Sequence, residues 1–174
     1  MEETLGKYVY HGSAEPIDIV QPRLNKRMMW KDGKYIKIFE DISFHATPYR
    51  WIALAYTRDK NQKILVNGEE FYYTMAVDLY KEYKVVEILG INSLEESLSK
   101  LYGKGGYVYV FEQEQFSRVD GLGNLEVITK ESATPVLIEE IVNPVQEMID
   151  NGVEFKFSDL ADPEHFDWMK KITS

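Results

Sequence analysis

The stretch Tyr8–Ser13, YVYHGS, decides how the rest of the chain is interpreted. Its first three residues alternate in the manner of a half-buried strand. The strand then runs into a histidine, a glycine and a serine. A glycine at a strand end allows a sharp turn and a close approach of backbone to a ligand. A neutral His11 can donate with one ring nitrogen and accept with the other. Taken alone, the same letters favour a hydrogen-bonded structural histidine before a glycine turn.

The composition describes one globular domain over residues 1–174, with 44% hydrophobic and 28% charged residues. The chain has no cysteine, which excludes a disulfide framework, a zinc–thiolate site and a cysteine nucleophile. Its three histidines are far apart, so we predict no metal site. The acidic beginning, MEETLGKY, lacks the apolar run of a secretory signal, and no stretch approaches the about 18 apolar residues of a membrane span. We therefore expect a cytoplasmic protein without a membrane partner.

The formal net charge of −9 disfavours nucleic acid as a partner, because it repels phosphate backbones at long range. One short span is nevertheless basic, and we interpret it as a solvated loop. Its members are Arg23, Lys26, Arg27, Lys31, Lys34 and Lys37.

Short alternating runs rich in tyrosine predict strands near 7–11, 38–45, 69–77, 83–88, 106–112, 124–129, 135–142 and 153–157. Helices are fewer. Thr47 is the expected N-cap of a helix with Pro48 at its first position, and Ser93 with Glu96 forms a capping box for a second. NPVQEMIDNG predicts a third helix and DPEHFDWMKK a fourth. Strands mixed with segregated helices indicate an α+β fold.

A second stretch with chemical potential is Ile42–Thr57, ISFHATPYRWIALAYT. Phe44, Tyr49 and Tyr56 could form a stacking wall for a planar ring. For the two tyrosines, a place in the core is an equally open interpretation. A third stretch, TKESATPVLIEEIVNP, carries Glu131 in a loop before a strand, where a carboxylate could reach a cleft or simply be solvated.

In this order, the three stretches resemble the ADP-ribosyltransferase-like superfamily of diphtheria-type toxins, poly(ADP-ribose) polymerases and RNA 2′-phosphotransferases. The letters that carry the resemblance are His11-Gly12-Ser13 and Ala46-Thr47-Pro48, the latter also similar to small bacterial members without an assigned role. The resemblance implies two small, mostly antiparallel sheets that form a cleft, with a few flanking helices. It also implies NAD as a substrate.

The resemblance assigns a role to individual residues. His11 would bond the adenosine-side ribose of NAD, and the Gly12 backbone would pair with the nicotinamide amide, with Ser13 alongside. Phe44 or Tyr49, together with Tyr56, would sandwich the nicotinamide ring. Arg23, in the basic span, would contact pyrophosphate or acceptor.

The catalytic glutamate of active members opens a late strand, where this chain has Ala133 or Thr134. Glu131 is the nearest carboxylate and is our candidate for stabilising the positive sugar as the glycosidic bond breaks.

Four functions remain open from the sequence. The first is an ADP-ribosyltransferase, with a protein favoured over nucleic acid as acceptor. The second is an inactive nucleotide- or ADP-ribose-binding module of the same fold. The third is an interaction protein that uses its exposed tyrosines. The fourth is RNA phosphotransfer, which would require several basic residues around the cleft.

Overall fold

The computed structural model describes residues 5–17 and 20–162. Within these residues the chain forms eleven strands and three α-helices in an α+β arrangement. The strands are β1 (Tyr8–Ser13), β2 (Arg23–Lys31), β3 (Lys34–Ala46), β4 (Lys63–Val66), β5 (Glu69–Tyr72), β6 (Thr74–Tyr80), β7 (Tyr83–Gly90), β8 (Gly106–Glu112), β9 (Val127–Thr129), β10 (Leu137–Ile141) and β11 (Val153–Asp159). The helices are α1 (Arg50–Ala55), α2 (Leu94–Tyr102) and α3 (Pro144–Asp150), with a 3₁₀ turn at Gln113–Gln115.

The stretch YVYHGS forms β1 at one edge of an antiparallel sheet with the order β1-β8-β10. Val9 faces the core, fully buried, while His11 and Gly12 pair in register with Tyr109 and Val108 of β8. The predicted strand is confirmed and continues two residues beyond its expected end.

Besides the two-stranded sheet β4-β5, two further three-stranded sheets complete the framework. One has the order β11-β7-β6, in which β11 runs parallel to β7 and every other pairing is antiparallel. The other has the order β2-β3-β9. A bridge between Tyr10 and Thr47 ties the end of β3 to the free edge of β1, with both N–H···O distances at 2.8 Å. The α+β class with mostly antiparallel small sheets is therefore confirmed.

The basic span is not a loop. It is the hairpin β2–β3, closed by Asp32 and Gly33 with φ values of 51° and 77°. Two successive positive φ angles define the turn whose twist matches that of paired strands. The Asn67-Gly68 turn joins β4 to β5 in the same way, with φ values of 51° and 80°. The predicted strand 69–77 is in fact two strands, β5 and β6, separated at Tyr73.

Helix α1 starts later than predicted, and Thr47 is not its N-cap. Tyr49 occupies that position without a side-chain cap, because the backbone of Thr47 is committed to the bridge with Tyr10. The Thr47 hydroxyl instead accepts a hydrogen bond from the Tyr49 N–H at 3.2 Å. Residues Trp51–Ala55 are all buried, so α1 is a core helix.

The other two predicted helices within the described residues form, although the Ser93 N–H bonds to the Ile91 carbonyl and not to Glu96, so only one half of the predicted capping box is present. Ser93 caps α2 by accepting from the Glu96 N–H at 3.1 Å, and Asn143 caps α3 by accepting from the Gln146 N–H at the same distance. The predicted helix in DPEHFDWMKK lies, beyond Asp162, outside the described residues. Among the helices described, none has the length and apolar character needed to cross a membrane.

Candidate functional site

A cleft of about 800 Å³ opens beside the His11–Ser13 end of β1. Its walls come from β1, the end of β3, the hairpin strand β2 and the residues that follow α1. This volume falls within the range of small-molecule sites. Six of the residues predicted to bind a cofactor line it: His11, Gly12, Ser13, Arg23, Phe44 and Tyr56.

His11 is held by a hydrogen bond from its Nδ1–H to the His45 carbonyl, at 2.7 Å. This bond leaves Nε2 as the acceptor nitrogen of a neutral ring. Burial lowers the pKa of His11 to about 4, helped by the positive charges of Lys60 and Arg23, although the bond to His45 acts in the opposite direction. The imidazole therefore remains neutral at physiological pH and offers an acceptor to a ligand.

Gly12 is required by packing as well as by its place in the cleft. A Cβ at this position would lie 1.8 Å from the Ala53 carbonyl oxygen of α1, so only glycine allows the helix to approach β1 this closely. Tyr10 directs its N–H and C=O to Thr47. The backbone N–H and C=O groups of alternate residues in a strand point to the same side. Those of Gly12 therefore point, like those of Tyr10, to the edge of β1 opposite β8, beyond the end of β3.

Phe44 and Tyr56, the two predicted stacking residues that line the cleft, have different environments. Phe44 is buried and packs its ring on His11 at a centroid distance of 4.5 Å, and on Phe111 and Phe116 behind it. It belongs to the core and supports the imidazole. Tyr56, the C-cap of α1, is 37% exposed and is the aromatic surface that a planar ligand could reach.

Tyr49 does not line this cleft. It lines a separate cavity of about 430 Å³ together with Trp51 and Arg50. It lies at the beginning of α1, whereas Tyr56 lies at its end. The structure therefore does not bring the two predicted stacking tyrosines into one site.

Glu131 is exposed and is not among the residues that line the cleft. Its backbone N–H is bonded to the Thr129 hydroxyl at 3.2 Å, just past the end of β9. The carboxylate that does line the cleft is Glu126, just before β9. Position 131 is displaced because β9 joins β3 through Val127–Thr129, which carries the following loop beyond the cleft.

Glu126 accepts hydrogen bonds from Arg27 at 2.9 Å and from the Nδ1–H of His45 at 3.2 Å. The hydroxyl of Ser43 lies 3.0 Å from His45 Nε2 and donates to it, which is consistent with this tautomer. Burial alone would raise the pKa of Glu126, but the bonds from His45 and Arg27 outweigh it and lower that pKa. The carboxylate is therefore ionised and fixed in position.

The cleft also has a strongly basic wall, made by Arg23 and Arg27 from β2 and by Arg58 and Lys60 after α1. The acidic residues Glu15, Asp59 and Glu126 line the same cleft. A local basic wall on an acidic protein is the arrangement that attracts an anionic ligand.

Sequence reasoning missed Glu126, His45, Arg58 and Lys60. The available signals were the HA dipeptide at the end of β3 and the RDK sequence directly after the aromatic helix. No protein-family model, curated protein or solved structure matches the chain.

Proposed function

We propose that the chain has an ADP-ribosyltransferase-like fold, binds NAD in this cleft and transfers ADP-ribose to an acceptor. The observation that supports this most strongly is the meeting, in one cleft, of a neutral His11, the free strand edge at Gly12 and the accessible ring of Tyr56. These groups match a ribose hydroxyl, a carboxamide and a planar ring, which are all parts of one dinucleotide.

In the proposed complex, His11 Nε2 accepts a hydrogen bond from the adenosine-side ribose. The Gly12 N–H and C=O hold the nicotinamide amide, and Tyr56 covers one face of its ring. Arg23 and its neighbours in the basic wall bind the pyrophosphate. Positioning of this kind restricts the reacting bond to one geometry.

Glu126, not Glu131, takes the catalytic role. As the bond between nicotinamide and ribose lengthens, positive charge develops on the sugar, and an ionised carboxylate in the cleft stabilises it. The nicotinamide leaves with the bonding electron pair, and the acceptor nucleophile then forms the new bond to the same sugar carbon and loses its proton.

The experiment is to measure nicotinamide release from NAD by the wild-type protein, Glu126→Gln and Glu131→Gln. Removal of one electrostatic stabiliser of a transition state lowers the rate about 100-fold, so we expect that loss in E126Q and wild-type release in E131Q. Both variants replace a glutamate by glutamine, but Glu126 lines the cleft whereas Glu131 does not, so E131Q is the matched control. A loss of release in E131Q with normal release in E126Q would contradict the assignment.

A non-catalytic nucleotide-binding module is the second candidate, and the ion pair favours it. Arg27 lies 2.9 Å from Glu126 and offsets the negative charge that a cationic sugar would need. Tight NAD binding by calorimetry, with no nicotinamide release from the wild-type protein in the presence of candidate acceptors, would select this module over the transferase.

A further inference from the structure

Three of the four cations on the basic wall have no ion-pair partner among residues 5–17 and 20–162. Arg27 is paired with Glu126, but no salt bridge involves Arg23, Arg58 or Lys60 in this part of the chain. The other two cleft carboxylates, Glu15 and Asp59, share one cation, because Lys104 forms an ion pair with each of them.

Arg58 is the clearest case. It is half-buried, and its Nε is buried without a hydrogen-bond partner in the described residues. The adjacent Asp59 is not available to it, since its carboxylate already accepts from the Asn61 N–H at 3.0 Å and from the Gln62 amide at 2.8 Å. A half-buried guanidinium without an anion is costly, and such a group is typical of a site whose anion is a ligand.

Lys60 lies in the same electrostatic environment. Partial loss of hydration lowers its pKa, and the charges of Arg58, Arg23 and Arg27 lower it further. These four like charges line one cleft, and an anion bound among them would relieve their repulsion.

The unpaired cations come from two separate elements, Arg23 from β2 and Arg58 with Lys60 from the segment after α1, so the second group can hold an anion apart from a pyrophosphate at Arg23. A phosphomonoester carries about 1.5 to 2 further negative charges near pH 7. Arginine binds phosphate oxygens with two parallel donors, and lysine adds a compact charge.

We propose that Arg58 and Lys60 form a subsite for a phosphomonoester group, in addition to the contacts that hold the pyrophosphate. This deepens the proposed function, on which its place beside a dinucleotide rests. The phosphomonoester is either a 2′-phosphate on the dinucleotide itself or a phosphate carried by the acceptor. The subsite and its chemistry are the same in both cases.

In the first experiment, inorganic phosphate is titrated into the wild-type protein, Arg58→Gln and Lys60→Gln. Changes in the NMR chemical shifts of the backbone amides give the dissociation constant of phosphate for each protein. Arg118→Gln and Lys100→Gln are the matched controls, because Arg118 is half-buried, Lys100 is exposed and neither lines the cleft. We expect binding to weaken about tenfold in each cleft variant, equivalent to about 1.4 kcal/mol, and to be unchanged in each control. Since Lys60 is exposed, K60Q keeps the test available if R58Q does not fold.

The second experiment identifies the source of the phosphate. An at least tenfold preference for NADP over NAD in the wild-type protein, lost in K60Q, assigns the phosphate to the dinucleotide. Equal affinities for NAD and NADP, with inorganic phosphate still binding to the NAD-saturated protein, assign it to the acceptor.

Two outcomes overturn the subsite: equal phosphate binding by the cleft variants and their controls, or no phosphate binding together with equal affinities for NAD and NADP. A failure of NAD to bind, with phosphate binding that still depends on Arg58, instead refutes the proposed function and leaves the subsite standing.

Discussion

Replacing His11 with asparagine should remove a large part of the acid sensitivity of the fold. An asparagine amide can still donate to the His45 carbonyl, as His11 Nδ1–H does at 2.7 Å, but it cannot take up a proton. The wild-type imidazole, in contrast, has a pKa lowered by burial from 6.5 to about 4. Unfolding therefore exposes a stronger base than the folded state contains.

The sign and the size of the effect follow from this difference. Between pH 6.5 and pH 4 the unfolded chain binds a proton that the folded chain excludes, so stability falls as the pH falls. The lowering of the pKa of His11 corresponds to about 3 kcal/mol in the free energy of unfolding. About 2 kcal/mol of this stability is lost between pH 7 and pH 5. Few ordinary carboxyl groups titrate above pH 5, and subtracting the result for H11N removes the contributions that the two proteins share, including those of the other histidines.

The assay is urea denaturation of the wild-type protein and H11N at pH 7 and pH 5. We expect the wild-type protein to lose about 2 kcal/mol more than the variant between the two values, whatever the variant's stability at pH 7. NMR titration of the imidazole signals measures the pKa of His11 directly. The signal of His11 is the one that is missing from the spectrum of H11N. Equal losses in both proteins, or a His11 signal that titrates near 6.5, would refute the neutral, buried imidazole.

Two further changes test the surroundings of the cleft. Gly12→Ala would place a methyl group 1.8 Å from the Ala53 carbonyl oxygen, so we expect urea denaturation to show a loss of about 3 kcal/mol. An unchanged midpoint would mean that β1 and α1 are not in this contact. Arg27→Gln removes the cation 2.9 Å from Glu126, so burial should dominate and the pKa of that carboxyl should rise. Carbon-13 NMR titration of Glu126 measures it, and an unchanged or lower value would exclude Arg27 as its partner.

The strands that were predicted correctly carry their signal locally. The short runs YVYHGS and GYVYVFE, rich in valine and aromatic residues, are enough to identify β1 and β8, although β8 is the central strand of its sheet and is buried on both faces. The caps at Ser93 and Asn143 are likewise local events between residues three apart. Such features depend on the nearest turn of the chain rather than on the whole fold.

The missed strand β2 shows where local signals are insufficient. Its sequence, RLNKRMMWK, has the charge density of a loop, and its pairing partner supplies the reason for its extended form. The Asp32-Gly33 dipeptide was the overlooked cue for a hairpin. Tyr73 is a similar case, since the run around it alternates like one strand although β5 and β6 belong to different sheets.

The identity of the cleft carboxylate could not be read from the sequence. Glu126 reaches the site because β9 pairs with the end of β3, with Ile128 opposite His45. That register joins segments about 80 residues apart, and a shift of a few residues would have exchanged Glu126 for Glu131. His11, Gly12 and Tyr56 were accessible to sequence reasoning because their neighbours carry specific letters, whereas Arg58 and Lys60 lie in an ordinary charged turn.

The crystal structure of the protein soaked with NAD tests the central proposal most directly. We expect density for the dinucleotide in the cleft, with a ribose hydroxyl within hydrogen-bond distance of His11 Nε2, the carboxamide on the Gly12 backbone and the nicotinamide ring against Tyr56. Dinucleotide density in the cavity lined by Tyr49 and Trp51, or a cleft without density at a saturating concentration of NAD, would contradict it.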